Sequence, residues 1–180
     1  PMEKLHLVSA FLVDQCLSLG QEKVNSKENE IIAIPRLLDS LELHQGDIIT
    51  IDAIGTQKEI VSQIIEKQAD YLLEVKGNQP ILMESIEDAM EAVRKFHECE
   101  YLKEFSEREE GHGLIVNRTC RTCSDVYFLG RIFKQWEGIR TFGYIDNWRI
   151  DKATGEDVTE RHYFITSLEN DPKRILKFKR

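Results

Sequence analysis

Residues 47–76 constrain the fold more than any other part of the chain. "DIITIDAI" is an apolar, β-branched run that reads as a buried strand. Residues 57–68 follow, with Ile60, Val61, Ile64 and Ile65 on one helical face. "DYLLEVKG" then reads as another strand. Two strands enclosing one helix form a βαβ unit, so the strands are expected to be parallel and joined right-handedly.

The flanking segments extend this unit. "LHLVSAFLV" (5–13) and "CLSLGQEKV" (16–24) read as two strands, with Asp14-Gln15 as a tight hairpin between them. Asn29 is a candidate helix cap, followed by Ile31, Ile34, Leu37, Leu38 and Leu41 at helical spacing. Pro35 falls in the first turn of that helix or bends it. After the βαβ unit, Asn78 and Pro80 open a long amphipathic helix. "GLIVNRTCRT" reads as a strand, "SDVYFLGRIFKQWEGI" leaves room for a short helix, and "KATG" joins two further strands as a hairpin. The order predicts an α/β domain spanning 1–180, with a β-rich extension over 98–180 after the α/β part of 1–97.

Its 180 residues suffice for one domain with a proper core. No apolar run is long enough to cross a membrane, and no basic-then-apolar secretion signal opens the chain, so a cytoplasmic protein is expected. The net charge of −8 argues against nucleic-acid binding at first sight, but it is uneven. Residues 84–110 hold ten acidic side chains against four basic ones, whereas 172–180 are purely basic. That tail reads as a solvated end or a local basic surface. Of four cysteines, Cys120 and Cys123 have zinc-ribbon spacing, but no second close pair exists. On a strand that spacing points the two thiols to opposite faces, so free reduced thiols are expected for them and for Cys16 and Cys99.

Asp52 is the feature that needs explaining. Four apolar or β-branched residues, Ile48 to Ile51, run directly into it, and small Ala53 and Gly55 follow. In open α/β sheets, ligands bind beyond the carboxyl ends of strands, where a carboxylate suits a hard cation such as Mg²⁺. The alternative is a cap on the next turn or helix, with the Thr56 or Gln57 amide as donor.

"LHLVSAF", "LGQEKVNSKENEI", "LLDSLELHQGDIITIDAIGTQKEI", "ADYLLEVKGNQPIL" and "HYFITSL", in this order, resemble the H-repeat-associated (ISAs-type) insertion-sequence transposases of the DDE superfamily. The resemblance is dense from Leu5 to Leu82 and looser from about 83 to 160. It implies a ribonuclease-H-like mixed sheet flanked by helices, with an added C-terminal β region. It also implies Mg²⁺-dependent cutting and joining of DNA at transposon ends by three carboxylates. Asp52 matches the second of these, as catalytic residue and metal ligand. Lys76, in "KGNQ", would lie near phosphate; a solvated strand-end lysine is the alternative.

The departures shape the expectation. The family's first carboxylate strand precedes "LHLVSAF", and its last catalytic helix would follow Arg180; neither is in these 180 residues. The family pattern His-Gly-Arg-x-Glu-x-Arg reads His112-Gly113-Leu114-Ile115-Val116-Asn117-Arg118 here. Arg118 remains as a DNA-contacting candidate, and His112 becomes a surface turn residue. The chain is expected to be an inactive central part of a transposase catalytic domain. The competing reading is a non-catalytic relic or scaffold that folds and self-associates; an intact nuclease ranks third. With one strand missing from the sheet centre, residues 5–12 would pair with 47–53, or 113–118 would fill the gap, or a second copy would donate a strand.

Overall fold

The computed structural model describes residues 6–12, 17–24, 30–95, 100–111 and 113–179. It is an α/β fold with a mixed sheet flanked by helices, as a ribonuclease-H-like domain requires. Strands β1 (His6–Leu12) and β2 (Leu17–Val24) pair antiparallel as a separate ribbon. Helix α1 (Glu30–Ser40) packs against this ribbon and buries Ala33, Ile34, Leu37 and Leu38. Pro35 lies in the second turn of α1, where it cannot donate a backbone hydrogen bond. Arg36 fastens helix to ribbon with Nε 2.8 Å from a Glu22 oxygen.

The βαβ unit forms as its periodicities require. Strand β3 (Ile48–Ile51), helix α2 (Lys58–Glu66) and strand β4 (Asp70–Val75) follow in order. β3 and β4 are parallel, in register from Ile48 opposite Asp70 to Ile51 opposite Leu73. Helix α3 (Pro80–Lys95) starts with proline at its first position, where no N–H is needed, and buries Leu82, Ile86, Ala89, Met90 and Val93.

Four long strands complete the sheet: β5 (Leu102–Gly111), β6 (Leu114–Cys123), β7 (Thr141–Asp151) and β8 (Asp157–Thr166). The ambiguous segment between β6 and β7 forms two short 3-10 turns, Val126–Leu129 and Ile132–Gln135. The β7–β8 turn needs Gly155, whose φ of +74° suits glycine. The strand order is β3-β4-β8-β7-β6-β5, one continuous sheet in which only β3 and β4 are parallel.

Alternation along β4 divides the core. Tyr71, Leu73 and Val75 join the helices α1, α2 and α3 in the larger cluster. Leu72 faces the other way, with Cys120, Ile145 and Phe164. That second face is covered by α4 (Pro172–Phe178), which buries Ile175 and Leu176. The basic tail is therefore a packed helix, opened by Asp171, whose carboxylate accepts the Arg174 N–H at 3.1 Å.

Beside β3, neither of the two pairings expected within the chain is formed among the described residues. Among the described residues β1 pairs with β2 alone, and β6 lies inside the sheet between β5 and β7. Neither residues 5–12 nor 113–118 fill the space beside β3. Among the described residues β3 is thus an edge strand, only half buried, rather than the buried strand its composition predicts. Asp14, Gln15 and Asn29 lie outside the described residues.

Gly143 tests the sheet packing. A Cβ there would run into the Arg121 backbone carbonyl across β6–β7, whereas nothing lies within 4 Å of a Cβ at Gly111. Gly143→Ala is expected to lower unfolding stability by about 1–3 kcal/mol. Gly111→Ala should stay within about 0.5 kcal/mol. Chemical denaturation of the two variants makes the comparison.

Candidate active site at the carboxyl ends of β3 and β4

Asp52 follows the last residue of β3 with an extended backbone, φ −69° and ψ 178°. Its Oδ1 accepts the Ile54 N–H at 3.3 Å and caps the short 3-10 turn Ala53–Gly55. The capping alternative is therefore realised, with Ile54 as donor rather than Thr56 or Gln57. The side chain nevertheless stays exposed at a strand's carboxyl end. Alternation puts Asp52 with Thr50 on the sheet face of Leu72 and Glu74.

Directly alongside is the turn after β4. The Gln79 N–H closes it onto the Lys76 carbonyl at 2.9 Å. Asn78, expected as the cap of α3, instead sends Nδ2 to the Ala53 carbonyl at 2.5 Å. Gln79 Nε2 donates to the Thr56 carbonyl at 2.9 Å. The buried Thr56 hydroxyl donates in turn to the Glu74 carbonyl at 2.5 Å.

Glu74 is a residue that sequence reasoning passed over. Its carboxylate is only 9% exposed and gathers three basic side chains. His162 Nδ1 lies at 2.7 Å and Lys76 Nζ at 3.2 Å from Oε1, and Lys179 Nζ at 3.1 Å from Oε2. Burial alone would raise its pKa; the His162 hydrogen bond and the two lysines outweigh it and bring it down to about 2. His162 and Lys179 are 88 and 105 positions away in sequence, so no local pattern points to the cluster. The one local sign was an acidic residue, Glu74, inside the otherwise apolar run 71–75.

The remaining expected site residues divide. Lys76 is 57% exposed at the end of the strand next to Asp52, with Glu74 as its partner. Arg118 is on β6, four strand positions from β3, or about 19 Å across the sheet. Its Nη1 lies 2.9 Å from Glu109 and 3.5 Å from Glu107 on β5. His112, Cys16 and Cys99 lie outside the described residues. Cys120 and Cys123 are buried in opposite cores, as strand alternation requires. Burial pushes the Cys120 thiol up to about 12.

Asp52 offers one carboxylate to a metal ion. Among the described residues no group of three or more His, Cys, Asp or Glu side chains is placed to hold one. Glu74, the nearest further carboxylate along the register, has both oxygens engaged. The described residues do not by themselves form a complete Mg²⁺ site. Among the described residues no helix is long and apolar enough to cross a membrane.

A mixed sheet flanked by helices is consistent with a ribonuclease-H-like domain of the DDE type. The family model for the transposase DDE domain matches residues 4–173, and the chain belongs to that family. It is 38% identical over 180 residues to "Putative transposase YncI" of Escherichia coli O157:H7, covering 95% of this chain and 43% of that protein. It is 34% identical over 168 residues to "Uncharacterized protein in dhlA 3'region" of Xanthobacter autotrophicus, covering 93% and 55%. With "H repeat-associated putative transposase YhhI" of Escherichia coli K12 it shares 32% identity over 167 residues, covering 92% and 43%. The chain thus spans about half the length of these relatives. No solved structure matches it.

Glu74 gives the site a measurable pH signature. Its folded pKa lies below the ordinary value of 4.5, so its stabilisation is fully present above that value and lost as pH falls towards about 2. The full effect is on the order of 3 kcal/mol. Urea denaturation between about pH 5 and about pH 2 should show this loss, and Glu74→Gln should flatten it.

Proposed function

We propose that this chain forms the part of a DNA transposase catalytic domain that carries the second carboxylate, Asp52, in cutting and joining an insertion sequence. One observation carries the reading. Asp52 is exposed at the carboxyl end of a parallel strand, in a chain that matches the transposase DDE domain over residues 4–173. The DNA substrate would be the transposon ends, and the work cytoplasmic.

In this reading Asp52 projects its carboxylate towards the reacting phosphodiester, and Lys76 offers an ammonium to a neighbouring phosphate. Arg118 contacts the backbone farther along the sheet, exchanging its carboxylate partners for phosphate. Mg²⁺ belongs to the complete enzyme, because one carboxylate does not hold an ion that keeps most of its waters.

A second reading concerns assembly. The outer edge of β3 and that of the β1–β2 ribbon lack strand partners among the described residues, and Leu7, Phe11, Leu17 and Leu19 are exposed on the ribbon. Such edges favour self-association, which would also suit a non-catalytic scaffold. Sedimentation of the purified chain should give a dimer; a strict monomer would remove this reading.

The catalytic reading has a direct assay. The purified 180-residue chain is expected neither to nick nor to join DNA with Mg²⁺ or Mn²⁺, as it holds one of the three carboxylates the resemblance implies. The whole protein is expected to cut transposon ends, and Asp52→Asn to reduce cutting to background. Full cutting by the Asp52→Asn protein would refute the assignment.

A further inference from the structure

We infer that Thr56, Asn78 and Gln79 form a three-point latch that fixes the Asp52 loop, and that they are positioning residues for the Asp52 carboxylate. This rests on the catalytic reading of Asp52 given above, while the latch itself stands on geometry.

Packing seats Ala53, Gly55 and Thr56, which are buried, and polar ties fix how the loop presents the exposed Asp52. β3 has four residues and one paired edge, and its pairing with β4 ends at Ile51 opposite Leu73. Asp52 to Gln57 then bridge to α2 with local bonds: Gly55 N–H to Asp52, Thr56 N–H to Ala53, Gln57 N–H to Gly55, Ile54 N–H to Asp52 Oδ1 and Gln57 Nε2 to the Ile54 carbonyl. Those bonds shape the turn but do not anchor it to the sheet.

The anchors come from β4 and the turn beyond it. Thr56 Oγ1 donates to the Glu74 carbonyl at 2.5 Å, at the α2 end of the loop. Gln79 Nε2 takes the Thr56 carbonyl at 2.9 Å, so Thr56 is held from two sides. Asn78 Nδ2 takes the Ala53 carbonyl, one residue from Asp52, at 2.5 Å. Both ends of the 3-10 turn are therefore tied to one rigid body. That body is rigid because Gln79 accepts the first helical bond of α3, from Met83 at 3.0 Å, and α3 buries five side chains in the core. Catalytic side chains need support of this kind to keep a productive orientation.

The arrangement also explains the residue types. A side-chain amide is an N–H donor long enough to reach a neighbouring loop's carbonyl, which neither a carboxylate nor an apolar residue supplies. Asn78 is exposed and Gln79 only partly buried, so packing alone does not call for either amide. Gly55 fits between them because a Cβ there would run into Ile51.

Nuclear magnetic resonance of the purified chain tests the latch. Asn78→Ala and Gln79→Ala are expected to speed amide exchange at Ile54, Gly55 and Thr56 about tenfold, with Leu72 and Leu73 unchanged. The three-bond couplings that report the Asp52 χ1 angle should move from a single rotamer to an average. Thr56→Val should reproduce the effect, and Thr56→Ser should restore the wild-type pattern. Unchanged exchange and couplings in an Asn78→Ala, Gln79→Ala double variant would overturn the latch. So would faster exchange throughout the domain, which marks general destabilisation. In the whole protein, the same variants should lower turnover about tenfold at saturating DNA, with half-saturation unchanged. If Asp52→Asn leaves cutting intact while the exchange and coupling effects persist, the catalytic reading fails and the latch survives. If Asp52→Asn abolishes cutting while the latch variants behave as wild type, the latch fails alone.

Discussion

Parallel pairing of β3 with β4 is the constraint on which the site depends. It aligns Ile51 with Leu73, so the two strands end at the same level of the sheet. The loop after one strand and the turn after the other are then neighbours, and their polar groups meet. A shift of one residue would turn Ile49 and Ile51 out of the helix-covered core and bring Thr50 in. The α2 crossover enforces the pairing, because Ile60, Val61 and Ile64 are buried only when the helix lies on that face of the sheet.

Charge is treated differently on the two sides of the site. Glu74 is buried and compensated by three basic groups, so it acts as a fixed anchor for His162, Lys76 and Lys179. Breaking such a cluster by removing one partner is costly, because a buried charge is left uncompensated. Asp52 directly follows the neighbouring strand and remains exposed. Farther out, the acidic β5 is matched by β6. Arg121 bridges Glu104 and Asp146, and Arg118 bridges Glu107 and Glu109. Part of the acidic excess, Glu104, Glu107, Glu109 and Glu110 on β5, is thus met by cross-strand pairs, which also guard the sheet's edge strand.

Much of the architecture was legible in the sequence because it rests on local periodicity. The β-branched runs at 48–51 and 70–75, the spacing of Ile60, Val61 and Ile64, and the turn around Gly155 each follow from nearest-neighbour physics. What stayed hidden depends on distant partners. β3 reads as buried from composition, but an edge position is decided by strand order. Asn78 reads as a helix cap, yet Ala53 on the preceding loop, 25 residues back, takes its N–H. The basic tail reads as solvated because five charges mask Ile175 and Leu176. The Asp171-Pro172 pair, a cap followed by a first-position proline, was the signal that marked a helix there.

The central claim is that Asp52, aimed by the turn after β4, faces the phosphodiester that a transposase cuts. An experimental structure of the whole protein bound to its transposon ends tests it most directly. The account predicts the Asp52 carboxylate within about 5 Å of the scissile phosphate, directly or through a bridging metal, with Asn78 and Gln79 still bonded to the Ala53 and Thr56 carbonyls. A scissile phosphate on another face of the sheet, with Asp52 serving only as the cap of its own turn, would contradict it.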